Sequence, residues 1–287
     1  MFSINKLLKV VLLYLSLLAS STAATFSGYV GGSYPGDPFN VTSDSPFIQI
    51  ASAADSLGAR VIEMDYGIKV GGGGVGAKAR IANSGFGGAR ELDVGASVLY
   101  EDLIFTPIRN DGGATSVDVL LNLSLGGFIN LLPQGQAATF GSIAVMVNNV
   151  TIGSLERTFN LNGVDQINAT GVLSGVSPNG SIFTNIAHPL SFALNTPVSL
   201  QFGIVVSAFV NGPDFSFAES DSDFFNTLSL DPNSVFTVLT PDLEVSIDSV
   251  SAGIANNQLA PIPLPASMLL MLPGWFVILR WRKTTAG

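Results

Sequence analysis

The stretch that decides the fold runs from residue 115 to residue 125 and reads TSVDVLLNLSL. Its odd-numbered positions from 117 onward are all apolar: Val117, Val119, Leu121, Leu123 and Leu125. The even-numbered positions are polar, with Leu120 as the exception. Successive side chains of a β-strand point to opposite faces of the sheet, so this alternation predicts a strand with one buried face and one exposed face.

Four further stretches repeat the alternation, at 62–70, 92–100, 200–206 and 243–247. Clusters of glycine, asparagine and proline separate such stretches and favour tight turns. They lie at 71–74, 110–113, 133–135, 178–180 and 211–214. No part of the body has the 3.6-residue apolar period of the crossover helices that parallel sheets need. The sequence therefore predicts an all-β, antiparallel β-sandwich-like body, built as one large domain or two smaller ones.

The N-terminus has the organisation of a secretory signal peptide. Two lysines precede an apolar run at 10–19, and small residues follow up to Ala23 and Ala24. The apolar run is too short to span a bilayer, and this order of charge, apolar run and small residues is typical of a cleaved export signal. We expect a signal peptide at 1–24, cleavage after Ala23 or Ala24, and export of the body.

Charged residues and cysteines exclude several classes of function. All 21 Asp and Glu residues lie in the body, whereas five of the 12 Lys and Arg residues lie at the two termini. No basic residue occurs between Arg157 and Arg280. A surface this acidic repels phosphate backbones, which excludes nucleic-acid binding. The chain has no cysteine, which excludes disulfides and thiolate metal sites.

The C-terminal residues form three consecutive segments. The first is the motif Ile262, Pro263, Leu264, Pro265, Ala266 and Ser267. Its two prolines hold the backbone extended and prevent a helix through them. The second, at 266–279, is predominantly apolar; as a helix it reaches about 21 Å, less than the roughly 30 Å of a hydrocarbon core. The third is a basic end: Arg280, Arg282 and Lys283. Since basic ends stay in the cytoplasm, we expect a short transmembrane helix that anchors the protein temporarily, with the body beyond the inner membrane.

This order of segments resembles the PEP-CTERM sorting signal, and 262–266 is similar to its Val-Pro-Leu-Pro-Ala subtype. The resemblance implies a Gram-negative bacterium, transient recognition by the membrane protease-transpeptidase exosortase, and release or transfer to the cell surface. Proteins with this signal generally accompany exopolysaccharide production and biofilm. Ile262 stands where the subtype has valine, Leu264 where the parent motif has glutamate, and Pro273 interrupts the helix. The scissile bond is therefore left open.

The body offers few residues for catalysis. Its histidine, His188, precedes Pro189, and we interpret it as a polar residue of a turn. The sequence contains no nucleophile elbow, no zinc-protease helix and no phosphate-binding loop. The protein is therefore predicted not to be an enzyme and to need no cofactor.

A cluster of acidic residues leaves two interpretations open. It consists of Asp214, Glu219, Asp221 and Asp223. Carboxylates at alternate positions of a loop can direct oxygen ligands at a hard cation such as Ca²⁺. The cluster lacks the glycine and final glutamate of a helix-loop-helix calcium loop, so it is either an irregular calcium site or a solvated acidic loop.

The combined features predict an exported, non-enzymatic surface or matrix protein that associates with biofilm and exopolysaccharide. We expect a secreted body at 25–253, a flexible spacer at 254–261 and the sorting signal at 262–283. Three alternatives remain: a carbohydrate-binding β-sandwich, an uncleaved single-pass protein of the periplasmic face, and a secreted hydrolase. A carbohydrate-binding sandwich needs exposed aromatic residues beside Asn or Asp, and Trp275 and Trp281 both lie in the tail.

Overall fold

The computed structural model describes residues 24–32, 39–58, 60–71, 73–134, 137–178, 180–213 and 216–259. The predicted signal peptide up to Ala23 and the predicted sorting signal at 262–283 lie outside these ranges. Within them the regular structure consists of strands, and no helix there is long and apolar enough to cross a membrane.

The strands form two large antiparallel sheets. In chain order they are β1 (Thr25–Gly32), β2 (Phe39–Ser43), β3 (Phe47–Leu57), β4 (Arg60–Gly71), β5 (Gly74–Ser84), β6 (Gly88–Asn110), β7 (Ser116–Gln134), β8 (Ala138–Val147), β9 (Val150–Phe159), β10 (Asp165–Gly171), β11 (Ser181–Ala193), β12 (Val198–Gly212), β13 (Phe217–Leu230), β14 (Phe236–Val238), β15 (Leu243–Asp248), β16 (Ile254–Ala255) and β17 (Gln258–Leu259). Sheet A has the order β10-β9-β8-β12-β6-β1-β2, and β15 pairs with the second half of β6. Sheet B has the order β11-β7-β13-β5-β4-β3, and β14 pairs with β7.

The two sheets pack face to face around one hydrophobic core. Strands β12 and β6 of sheet A lie against β5 and β13 of sheet B. Inward-facing residues of both sheets belong to a single buried cluster, including the five apolar residues of the alternating stretch at 115–125: Val117, Val119, Leu121, Leu123 and Leu125. The predicted alternation is therefore present in β7, and the prediction of an antiparallel, sandwich-like all-β body is confirmed.

The described part of the predicted spacer at 254–261 has regular structure. Strands β16 and β17 form a hairpin whose turn residues, Asn256 and Asn257, have φ values of 50° and 64°. Asparagine tolerates this left-handed conformation, which a two-residue hairpin turn of type I′ requires at both positions. The Asn257 N–H donates to the carbonyl of Ile247 at 2.8 Å, and the Phe236 N–H donates to Asn257 Oδ1 at 2.8 Å. The body therefore extends to Leu259.

Candidate functional site

The outer face of sheet B, turned away from sheet A, carries a band of charged side chains across its centre. Lys78 and Arg80 project from β5, between two strands that bear acidic residues. These acids are Glu63 and Asp65 on β4 and Glu219, Asp221 and Asp223 on β13. The strand registers place Asp65 and Asp221 on opposite sides of Arg80, and Asp223 beside Lys78.

Ion pairs join these side chains across three strands. Arg80 donates from Nε to Glu219 Oε1 at 2.8 Å and from Nη1 to Asp65 Oδ2 at 2.7 Å. Lys78 Nζ donates to Asp223 Oδ2 at 2.9 Å. Burial by itself lowers the pKa of Lys78, but the hydrogen bond to Asp223 and the nearby aspartate charges outweigh burial and raise that pKa. Both basic residues therefore stay charged at physiological pH.

Asp221 has a different environment from the other acids of the band. Its Oδ1 atom is buried and has no hydrogen-bond partner among the described residues. The Lys78 Nζ atom lies 3.8 Å from it, too far for a hydrogen bond. Burial raises the pKa of Asp221 to about 6, although the positive charge of Lys78 acts in the opposite direction. Neutral and charged forms of this carboxyl therefore coexist near pH 6.

The acidic cluster does not lie on a loop, as the sequence had suggested. Glu219, Asp221 and Asp223 belong to β13, an inner strand between β5 and β7. Among the described residues no group of three or more His, Cys, Asp or Glu side chains is arranged to hold a metal ion, and Asp214 lies outside those residues. On β13 the carboxylates of Asp223 and Glu219 instead accept hydrogen bonds from Lys78 and Arg80.

The inward side chains of β13 explain why the loop interpretation was wrong. Ser220 and Ser222 alternate with the acids and are fully buried between the sheets. The Ser222 hydroxyl donates to the carbonyl of Ser207 at 2.8 Å, and the Ser220 hydroxyl donates to the carbonyl of Phe140. Backbone groups of sheet A thus satisfy both hydroxyls, so buried polar side chains take positions where a strand pattern ordinarily has apolar ones.

An irregularity of β13 shapes the outer face next to the charged band. The register with β5 shifts between Phe224, which lies opposite Ala77, and Leu228, which lies opposite Val75. Three residues of β13 therefore lie opposite the single residue Gly76. The backbone of Phe225 lies directly over Gly76 and leaves no space for a Cβ atom. We call this segment, residues 225–227, the β13 bulge.

The β13 bulge forms one wall of a cleft, which we call the Phe225 cleft. The Phe225 ring lies over Gly67, where an added Cβ atom would come within 2.9 Å of the ring. Ile50 and Ser52 of β3 line the other side of the cleft, whose volume is about 540 Å³. Asp65, Lys78 and Asp223 also line it, so the charged band forms part of its boundary. The cleft therefore combines an aromatic ring, an aliphatic side chain, a hydroxyl, an ammonium group and two carboxylates.

The remaining predicted site residues lie elsewhere. His188 is inside strand β11 opposite Leu121, so its placement in a turn is wrong, and partial burial lowers its pKa. Ala24 is buried and directly precedes β1. Ala23 and the residues of the sorting motif and basic end lie outside the described ranges.

The Phe225 cleft is the candidate functional site of the body. Sequence reasoning missed it because its walls come from β3 and β13, which are separated by more than 150 residues in the chain. The sequence offered one indication of the charged band: Lys78 and Arg80 are two residues apart, as are the acids opposite them on β13. No protein-family model, no curated protein and no solved structure matches this chain.

Proposed function

We propose that this chain is a non-enzymatic bacterial surface or matrix protein that is exported and held briefly in the inner membrane by its C-terminus. An exosortase then cuts the chain there. The observation that carries the proposal is the order of an extended proline motif, a short apolar segment and a basic end. An uncleaved anchor explains the apolar segment and the basic end, but it does not explain the paired prolines directly before them.

The position of the motif relative to the body supports this proposal. The last described strand, β17, ends at Leu259, and the motif begins at Ile262. Hydrogen bonds of Asn257 hold the β16–β17 hairpin to the rest of the body. A cut within 262–267 therefore leaves every described strand in the released product.

Intact mass of the exported protein tests the proposal. We expect an N-terminus at Ala24 or Thr25, because the export signal is removed, and a C-terminus within 262–267. A mass that includes Gly287 identifies the protein as an uncleaved single-pass anchor. A mass that includes Met1 contradicts export by signal cleavage.

A second candidate function concerns the body alone, and the Phe225 cleft favours it. Sugar rings present an apolar C–H face, which stacks on aromatic rings, and a rim of hydroxyls, which hydrogen-bond to carboxylates. The Phe225 cleft offers both groups on one open surface, with Phe225 opposite Ile50 and with Asp65 and Asp223 at its border. The five acids of the charged band outnumber its two bases, so a neutral polysaccharide is favoured over an anionic one.

Binding of the purified body to neutral and anionic polysaccharides tests this candidate. We expect Phe225→Ala to weaken binding to a neutral glucan about tenfold, which corresponds to roughly 1.4 kcal/mol for a lost aromatic contact. Phe183→Ala is the matched control, because Phe183 is 78% exposed but lies on β11, two strands away from β13. Ile50→Ala shortens a side chain on the opposite wall of the cleft. Because Ile50 is exposed, this variant leaves the core intact, so any binding that it loses is not due to unfolding. Equal binding by wild type and both cleft variants contradicts a role for the Phe225 cleft.

A further inference from the structure

Among the described residues the main strand orders of the two large sheets end in four strands: β10 and β2 in sheet A, and β11 and β3 in sheet B; the short strands β14 and β15 lie beside this order. An edge strand presents a row of unpaired N–H and C=O groups, which can pair with another chain. Proteins commonly prevent such pairing with short edge strands, prolines or charged side chains. The four edges differ in whether they have these features.

Three of the edges are protected. Strand β2 has only five residues. Strand β10 has seven, and its Asp165 forms a two-pronged ion pair with Arg157 at 2.8 and 3.1 Å, which places charge along that edge. Strand β11 is longer, but Pro189 in its interior has no N–H to donate.

The edge formed by β3 has none of these protections. It is 11 residues long, contains no proline and no basic residue, and its one charged residue is Asp55, near its end. Among the described residues β3 pairs with β4 alone. Ile48 and Ile50 are 63% and 69% exposed on its outer face. A long edge with exposed isoleucines and a single charge near one end is the kind that pairs with a further strand.

We propose that β3 pairs antiparallel with β3 of a second copy of this chain, so that sheet B continues through a twofold dimer. A twofold axis at Ala51 sets Ile50 opposite Ser52 of the other copy and Ile48 opposite Ala54. The two Ile50 side chains then lie diagonally across the junction, within reach of each other. Such an interface is self-complementary, as a twofold dimer requires.

The charge distribution leaves this edge open to a second copy. The body carries all 21 acidic residues of the chain and seven basic ones, so two copies repel each other over most of their surfaces. Residues 45–54 contain no charged side chain. In the proposed pairing the two Asp55 residues face Phe47 of the other copy at opposite ends of the junction, roughly 26 Å apart at about 3.3 Å per residue. The β3 edge is therefore a place where two copies can meet without like charges in contact.

Sedimentation velocity of the purified body over a range of concentrations tests the proposal. We expect wild type to dimerise and Ile50→Lys to raise the dissociation constant at least tenfold, because it sets two lysines near each other across the junction. Phe183→Lys is the matched control, since it puts the same charge at an exposed position of β11, the protected edge of the same sheet. We expect it to dimerise as wild type does. Circular dichroism and melting temperature establish that each variant is folded.

Two results overturn the proposal. One is a wild-type body that stays monomeric at every concentration. The other is a dimer that Ile50→Lys leaves as stable as wild type, because that dimer uses another surface. Neither result depends on the C-terminal segment, so failure of this proposal is distinguishable from failure of the proposed sorting function.

Discussion

Replacing Pro263 and Pro265 together by alanine is expected to leave the protein at full length and in the inner membrane. Each proline lacks the N–H of a helical hydrogen bond and clashes with the preceding turn, at a cost of about 3 kcal/mol inside a helix. With alanine at both positions, helix can extend from Leu279 back to Ile262, interrupted by Pro273 alone. An 18-residue helix reaches about 27 Å, close to the roughly 30 Å of the hydrocarbon core. The anchor then becomes stable, and the segment that a protease must bind in extended form disappears.

Cell fractionation with intact mass measures this outcome. We expect the double variant to accumulate in the inner-membrane fraction with Gly287 present, whereas wild type leaves that fraction without its tail. Pro261→Ala is the matched control, because Pro261 precedes the motif and its replacement leaves Pro263 and Pro265 in place. Replacing all three basic residues by glutamine should act differently, by loosening retention and topology. A double variant that is cut as completely as wild type contradicts the role of the prolines.

Replacing Gly76 by alanine is expected to lower the free energy of unfolding by about 3 kcal/mol, at the upper end of the range for overpacked sites. The added Cβ atom overlaps the carbonyl group of Phe225, which is backbone and cannot rotate away as a side chain can. The β13 bulge must then lift from β5. This movement also withdraws the Phe225 ring from Gly67 and opens the Phe225 cleft.

Urea denaturation followed by circular dichroism measures the change. Gly71→Ala is the matched control: Gly71 lies on β4, and a Cβ atom there meets no atom within 4 Å. We expect this variant to stay within about 0.5 kcal/mol of wild type, as surface substitutions usually do. Equal stability of the two variants means that the β13 bulge does not pack on Gly76.

The strands that were predictable from the sequence are those whose inner face is uniformly apolar. The stretches at 62–70 and 117–125 have apolar residues along their inner face, and they lie within β4 and β7. Periodicity alone predicts such strands because one face is buried against the other sheet. Their extent was harder to predict, since β6 continues to Asn110, well past the stretch at 92–100.

Strand β13 and the C-terminal hairpin were missed for physical reasons that differ. In β13 the inward positions hold Ser220 and Ser222, whose burial depends on carbonyl groups of sheet A that the sequence does not place. In the hairpin, Asn256 and Asn257 look like a polar spacer, and only their φ values reveal a tight turn. The Phe225 cleft requires the register that brings Gly67 beneath the Phe225 ring, and register between distant strands is not encoded in local periodicity.

The pairing of β15 with β6 also affects when the body can finish folding. Leu243 lies opposite Asn110, and β6 itself pairs with β1 at the start of the body. Contacts between residues this far apart in the chain slow folding, because the intervening loop must close before they form. If the chain is exported as proposed, it crosses the membrane from its N-terminus, and the second half of β6 cannot pair with β15 until nearly the whole body has emerged. On that same proposal, the C-terminal apolar segment would then be entering the bilayer, and the last steps of folding would take place on a chain tethered to the membrane.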